Sequence, residues 1–292
     1  MISREAQKFW NLIRSFRRQI DMNLAEARAA DLLVEDFTAE PAGVTFTPAT
    51  ELDGIWAEAV QGASNGWILY FFGGAFALGT PATRRKTAGH LALAGNARVL
   101  VPNYRLAPEH PFPAGLEDAV RAYEWLLAQG AEPSRIFIAG DSAGANLSLS
   151  TVLSARDRGL PKCAGVVLIC PWVDLTCSGG SMQSRSATDI ICDRAGLLRM
   201  AADYLQGKDP RNPLASPLFA DLTDVPPLLC LVGGDEMLLD DSVRLVRSAG
   251  IAGVDATLRV SPAQRYRRGN AACISYLGWF FPRSRRGNCI NW

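Results

Sequence analysis

The pentapeptide Gly140-Asp141-Ser142-Ala143-Gly144 constrains this chain more than any other feature, because of what flanks it. The apolar run 135–139 (RIFIA) reads as a strand and residues 143–158 as a helix. A serine on a tight strand-to-helix turn needs small neighbours, since its own backbone is strained. The helix N-terminus behind it favours developing negative charge. Gly-x-Ser-x-Gly also arises by chance. The strand before it and the helix after it make it a nucleophile elbow, with Ser142 as the nucleophile.

The same rhythm runs through most of the sequence. Strands are expected at 43–48, 54–60, 67–72, 97–102, 135–139, 164–170, 228–233 and 255–260. Helices are expected near 81–95, 115–129, 143–158 and 239–249. Several strands are near-continuous apolar runs, the pattern of strands covered on both faces. Alternating strands and helices predict an α/β fold, a mostly parallel central sheet with helices on both faces. Two helices precede it, an amphipathic one over 3–20 and an Ala-rich one over 24–33. Residues 176–216 break the alternation with a Gly-Gly turn, a helix at 194–206 and a Pro-rich exit, as an inserted lid would.

Composition excludes other classes. Lys and Arg (30) nearly balance Asp and Glu (29), which argues against a nucleic-acid partner. No apolar run reaches the ~20 residues of a membrane helix. The N-terminus has no apolar signal region, so no secretory leader is expected. The seven Cys include no Cys-x-x-Cys pair, so buried free thiols in the cytoplasm are expected, with no metal site.

A second chemical signal lies upstream. Phe72-Gly73-Gly74-Ala75 follows the strand 67–72 directly. Two glycines let the backbone approach a substrate, and the amides of Gly73, Gly74 and Ala75 can join that of Ala143 in an oxyanion hole. A plain turn at a strand end is the other reading.

Tyr70-Phe71-Phe72-Gly73-Gly74-Ala75-Phe76, the segment from Tyr104 to Ala114 (YRLAPEHPFPA) and Gly140-Asp141-Ser142-Ala143-Gly144 together resemble the hormone-sensitive-lipase-like (bacterial family IV) esterases. Pro171-Trp172-Val173-Asp174-Leu175, residues 209–218 and Gly234-Asp235-Glu236-Met237-Leu238-Leu239-Asp240-Asp241 extend the match over roughly residues 1–260. The resemblance implies one α/β-hydrolase domain, with a helical cap from about 1–40 and about 176–216. It implies hydrolysis of small carboxylic esters or lactones by Ser142, with Asp235 as the acid of a triad and no cofactor. Family relatives often dimerise through the last strand and helix, the region that departs from the family here; a homodimer is the assembly the resemblance implies. Helix capping is the other reading of Asp235; Asp240 and Asp241 suit the helix start better. Asp141 is expected to make local hydrogen bonds, and Glu109 and His110 to support the architecture.

Two departures stand out. The family usually carries His-Gly-Gly-Gly, and here Phe72 replaces the His and Ala75 the last Gly. A Cβ at 75 strains the loop if its φ is positive. More seriously, the triad base falls at Tyr266, and the only histidines are His90 and His110. A phenol with a pKa of about 10 is a poor base at neutral pH. Neither His90, in a helical stretch, nor His110, in a Pro-rich loop, is the expected replacement. Residues 261–292 hold six Arg and no Asp or Glu, an atypical basic tail. A reading-frame shift near 260 would leave this pattern. A diverged tail, or an arm for nucleic acid or an anionic membrane, are the other readings. The expected esterase is therefore impaired; the alternatives are a binding protein on the same fold and an inactive product.

Overall fold

The computed structural model describes residues 23–32, 39–63, 65–189 and 191–261. The expected helix over 3–20 and the tail beyond Ser261 lie outside the described residues. Eight strands form one sheet: β1 (Val44–Ala49), β2 (Gly54–Ala59), β3 (Trp67–Phe71), β4 (Arg98–Val101), β5 (Ile136–Asp141), β6 (Gly165–Ile169), β7 (Leu228–Gly233) and β8 (Ala256–Ser261). Their order is β1-β2-β4-β3-β5-β6-β7-β8. The β1–β2 and β2–β4 pairs are antiparallel and the rest parallel. Each expected strand is present, with no end moved by more than two residues.

The helices are α1 (Leu24–Asp31), α2 (Arg85–Gly95), α3 (Ala114–Ala128), α4 (Ala143–Asp157), α5 (Ser181–Ser184), α6 (Arg194–Leu205) and α7 (Leu239–Ile251). Helix α2 packs on β1, β2 and β4; α4 packs on β3, β5 and β6; α7 packs on β7 and β8. The central strands are buried along nearly their whole length, as coverage of both faces requires. Helix α4 is buried from Ala143 to Ala155. Its small and hydroxyl residues allow this: Ser148 and Thr151 donate to Gly144 O and Leu147 O in the preceding turn.

Helix α1 starts in a capping box. Asn23 accepts the Glu26 amide, and the Glu26 side chain accepts that of Asn23. Two charged residues then tie the helix to the body. Arg28 donates to Ala77 O, Ala107 O and the Glu109 carboxylate. Asp31 accepts from Arg84 at 2.6 Å, and both side chains are nearly buried. Among the described residues no helix is long and apolar enough to cross a membrane.

Candidate active site

Parallel strands β5, β6 and β7 end side by side, and their C-terminal loops carry the candidate residues. Ser142 follows β5 with φ 54° and ψ −119°, a conformation that non-glycine residues rarely adopt. Its amide donates to Ile169 O at 2.8 Å, and its carbonyl accepts the Trp172 amide at 3.2 Å. Close packing explains the flanking glycines. A Cβ on Gly140 would fall 2.3 Å from Gly144 O, and one on Gly144 would fall 2.1 Å from Phe71 O. The second contact seats the elbow against the loop that follows β3.

Counting the amides in that loop separates the candidate donors. Gly73 N–H donates to Asp141 Oδ1 at 2.9 Å. Ala77 and Leu78 N–H both donate to Gly74 O. The amides of Gly74, Ala75 and Phe76 have no partner among the described residues, and neither has that of Ala143 at the start of α4. Gly74 and Ala75 are half-buried and Ala143 is buried, and amides left unpaired in a loop packed against the elbow can serve as donors to an anion. Gly73 drops out of the expected donor set because its N–H is already spent on Asp141.

Asp141 reaches further than local bonds. The same oxygen accepts the Tyr70 hydroxyl at 2.5 Å, across 71 residues of sequence. Burial, followed by the charge of Asp141, pushes the Tyr70 pKa well above the usual phenol range, so Tyr70 remains the donor.

Phe72 fills the place of the family's His. Its ring stacks on Tyr104 with centroids 4.4 Å apart, and the Tyr104 hydroxyl donates to Phe72 O at 2.7 Å. A ring stack plus a hydrogen bond from a neighbour thus brace the loop in place of an imidazole. Ala75 has φ 52° and Phe76 φ 62°, so the expected strain at Ala75 is present and extends to the next residue.

Asp235 lies in the loop after β7 and is partly exposed. It does not cap α7, whose N-cap is Leu238. Its carbonyl accepts the Thr188 hydroxyl at 3.0 Å, and its carboxylate has no partner among the described residues. Asp240 and Asp241 lie in the first turn of α7, but their carboxylates reach elsewhere. Asp240 accepts the Ser181 amide, and buried Asp241 accepts those of Val173 and Asp174 at 3.0 Å. Burial and nearby Asp174 push the Asp241 pKa up to about 8. Its second oxygen has no partner among the described residues.

The Ser142 hydroxyl has no hydrogen-bond partner among the described residues. His90 lies on α2, and its Nε2 is 3.0 Å from Ala39 O. His110 is exposed in the loop before α3. Glu109 is held down to about 2 by its hydrogen bond to Arg28, which makes it a weak base. Burial lifts Glu236 to about 7, but its carboxylate is packed against Cys170 Sγ and the Gly233 amide. Tyr266 lies outside the described residues. Among the described residues no cluster of His, Cys, Asp or Glu could hold a metal ion.

This geometry matches known proteins closely. A family model described as alpha/beta hydrolase fold matches residues 68–266. An acetyl-hydrolase of Streptomyces hygroscopicus is 49% identical over 195 residues, covering 67% of this chain and 65% of its own length. An esterase of Acinetobacter venetianus is 37% identical over 209 residues, covering 70% and 68%. Among solved structures, an esterase from the bacterial hormone-sensitive lipase family superposes with a TM-score of 0.87 at 35% identity, over 97% of this chain and 94% of that one.

Proposed function

We propose that this chain, which belongs to the hormone-sensitive-lipase-like esterases of the α/β-hydrolase fold, is a serine carboxylic ester hydrolase for short-chain esters or lactones. The observation that carries the site assignment is the set of unpaired amides at Gly74, Ala75 and Ala143 beside the strained Ser142. In this reading the Ser142 oxygen attacks the ester carbonyl carbon. The carbonyl electron pair moves onto oxygen, which the three amides hold. Collapse of the tetrahedral species breaks the C–O bond to the alcohol, and the released alkoxide takes up a proton. Water then attacks the acyl-serine, releases the acid and restores the hydroxyl.

The Ser142 proton has no imidazole to receive it and passes to solvent. A serine without an adjacent base is a weak nucleophile. Turnover is therefore expected near the level that an oxyanion hole and binding supply, about 10³–10⁴ over water. Asp235 keeps its place as the triad acid in this reading, with residues about 1–40 and 176–216 as the cap of one domain. The proposed compartment is the cytoplasm, a reading supported by the free thiols of buried Cys163, Cys177 and Cys230. The proposed assembly is a homodimer.

The bare Ser142 hydroxyl also favours a second reading, a small-molecule-binding protein on the same fold. Hydrolysis of p-nitrophenyl butyrate by the intact chain, beside Ser142→Ala, decides between them. Turnover lost in Ser142→Ala supports the hydrolase. Thermal stabilisation by an ester or lactone with no Ser142-dependent turnover supports the binding protein.

A further inference from the structure

The loop that carries the unpaired amides holds two consecutive non-glycine residues in the left-handed region, Ala75 at φ 52° and Phe76 at φ 62°. That conformation costs an L-residue roughly 1–2 kcal/mol at each position. Such backbone persists only where its surroundings over-determine it. Two of the surrounding contacts come from helices α1 and α6, outside the strand-and-helix alternation.

Arg28 of α1 donates from Nε to Ala77 O at 2.9 Å, fixing the loop just past the strained pair. Tyr204 of α6 stacks on the Phe76 ring with centroids 3.8 Å apart and planes 7° apart. Tyr204 is itself anchored, since its carbonyl accepts the Phe112 amide at 2.8 Å. The body adds one bond, from Ala107 N–H to Phe76 O at 2.9 Å.

We propose that Arg28 and Tyr204 are positioning residues for the oxyanion loop: helices α1 and α6 together hold Ala75 and Phe76 left-handed, which keeps the Gly74 and Ala75 amides facing the reaction site. This rests on the hydrolase reading given above. It assigns the two helices a catalytic consequence through the loop, beyond covering the site. It also explains how the loop keeps its shape with Ala at position 75, where only glycine would hold a positive φ without penalty.

The test is a rescue experiment on Ser142-dependent hydrolysis of p-nitrophenyl acetate. Arg28→Ala and Tyr204→Leu are each expected to lower kcat by about 5- to 30-fold, with KM within about twofold. Tyr204→Phe keeps the stacked ring and should retain the wild-type rate. Glu109→Gln removes the ion pair of Arg28 but leaves its bond to Ala77 O, and should also retain it. Adding Ala75→Gly to Arg28→Ala or Tyr204→Leu removes the strain at that residue, and should recover most of the lost kcat. A merely structural role gives no such rescue. Deficits that persist with Gly at 75, or that fall on KM, overturn the proposal while leaving the hydrolase reading intact.

A wild-type chain without Ser142-dependent turnover overturns the hydrolase reading instead. Hydrogen exchange at the Ala77 and Leu78 amides then decides the loop claim. Faster exchange in Arg28→Ala, slowed again by Ala75→Gly, supports it. Exchange unchanged by Arg28→Ala overturns it.

Discussion

The Asp141 carboxylate accepts the Gly73 amide at 2.9 Å and so joins the turn of Ser142, the proposed nucleophile, to the loop of the proposed oxyanion donors. The residue beside the serine thus sets the register between the two halves of the site. The same oxygen takes the buried Tyr70 hydroxyl, so one side chain satisfies two donors.

Asp141→Ala should therefore strand Tyr70 Oη and Gly73 N together. An unsatisfied buried donor costs about 1–3 kcal/mol, and urea unfolding should register a loss in that range. Asp141→Asn keeps an acceptor oxygen and should lose clearly less. Equal losses in the two variants would mean that the hydrogen bonds carry no weight here.

Gly144 tests the contact from the other side. A Cβ there would meet Phe71 O at 2.1 Å and Phe72 O at 2.5 Å, both rigid backbone atoms. Gly144→Ala must push the elbow away from the loop, and overpacking of this kind costs about 1–3 kcal/mol. It should lower the unfolding midpoint and abolish any Ser142-dependent turnover. A fully stable, unaltered Gly144→Ala protein would contradict the packing described for the elbow.

The pH dependence of stability follows from two buried acids. Burial raises Glu236 to about 7 and Asp241 to about 8 in the folded state. The folded chain thus holds these protons more tightly than the unfolded chain. Stability from this source is complete below the ordinary carboxylate range and is lost as pH rises, up to about 7 for Glu236 and about 8 for Asp241. Glu109 and Asp174 are shifted the other way, and their effect ends near the ordinary carboxylate range. Urea midpoints should therefore fall between about pH 5 and pH 8. Asp241→Asn, whose amide oxygen can accept the Val173 and Asp174 amides, should flatten that slope. A midpoint that stays level or rises across the interval would contradict the burial of these groups.

The strands, the elbow and the glycine loop were legible because each is a local pattern. Apolar runs, a serine between small residues and a Gly-Gly after a strand all lie within a few consecutive positions. What stayed hidden depends on residues brought together from far apart. Nothing near position 141 announces that its carboxylate would meet Tyr70 and take Gly73 out of the donor set. Nothing near position 28 announces Ala77. Asp240 and Asp241 read as helix-start residues, and both lie in the first turn of α7; nothing local announces that their carboxylates also bind Ser181 and the Val173–Asp174 backbone. That both histidines precede the elbow is legible directly in the sequence, because it needs only a residue count.

The central claim is that these loops hold a nucleophile and its oxyanion donors in working order and lack only an imidazole at Ser142. The most direct measurement replaces the residues after Ser261 with the His-bearing C-terminal segment of an esterase relative and follows p-nitrophenyl butyrate hydrolysis. The account predicts a rise on the order of 10³-fold or more over the present chain, all of it removed by Ser142→Ala. A well-folded chimera with no rise, or a rise that survives Ser142→Ala, would contradict it.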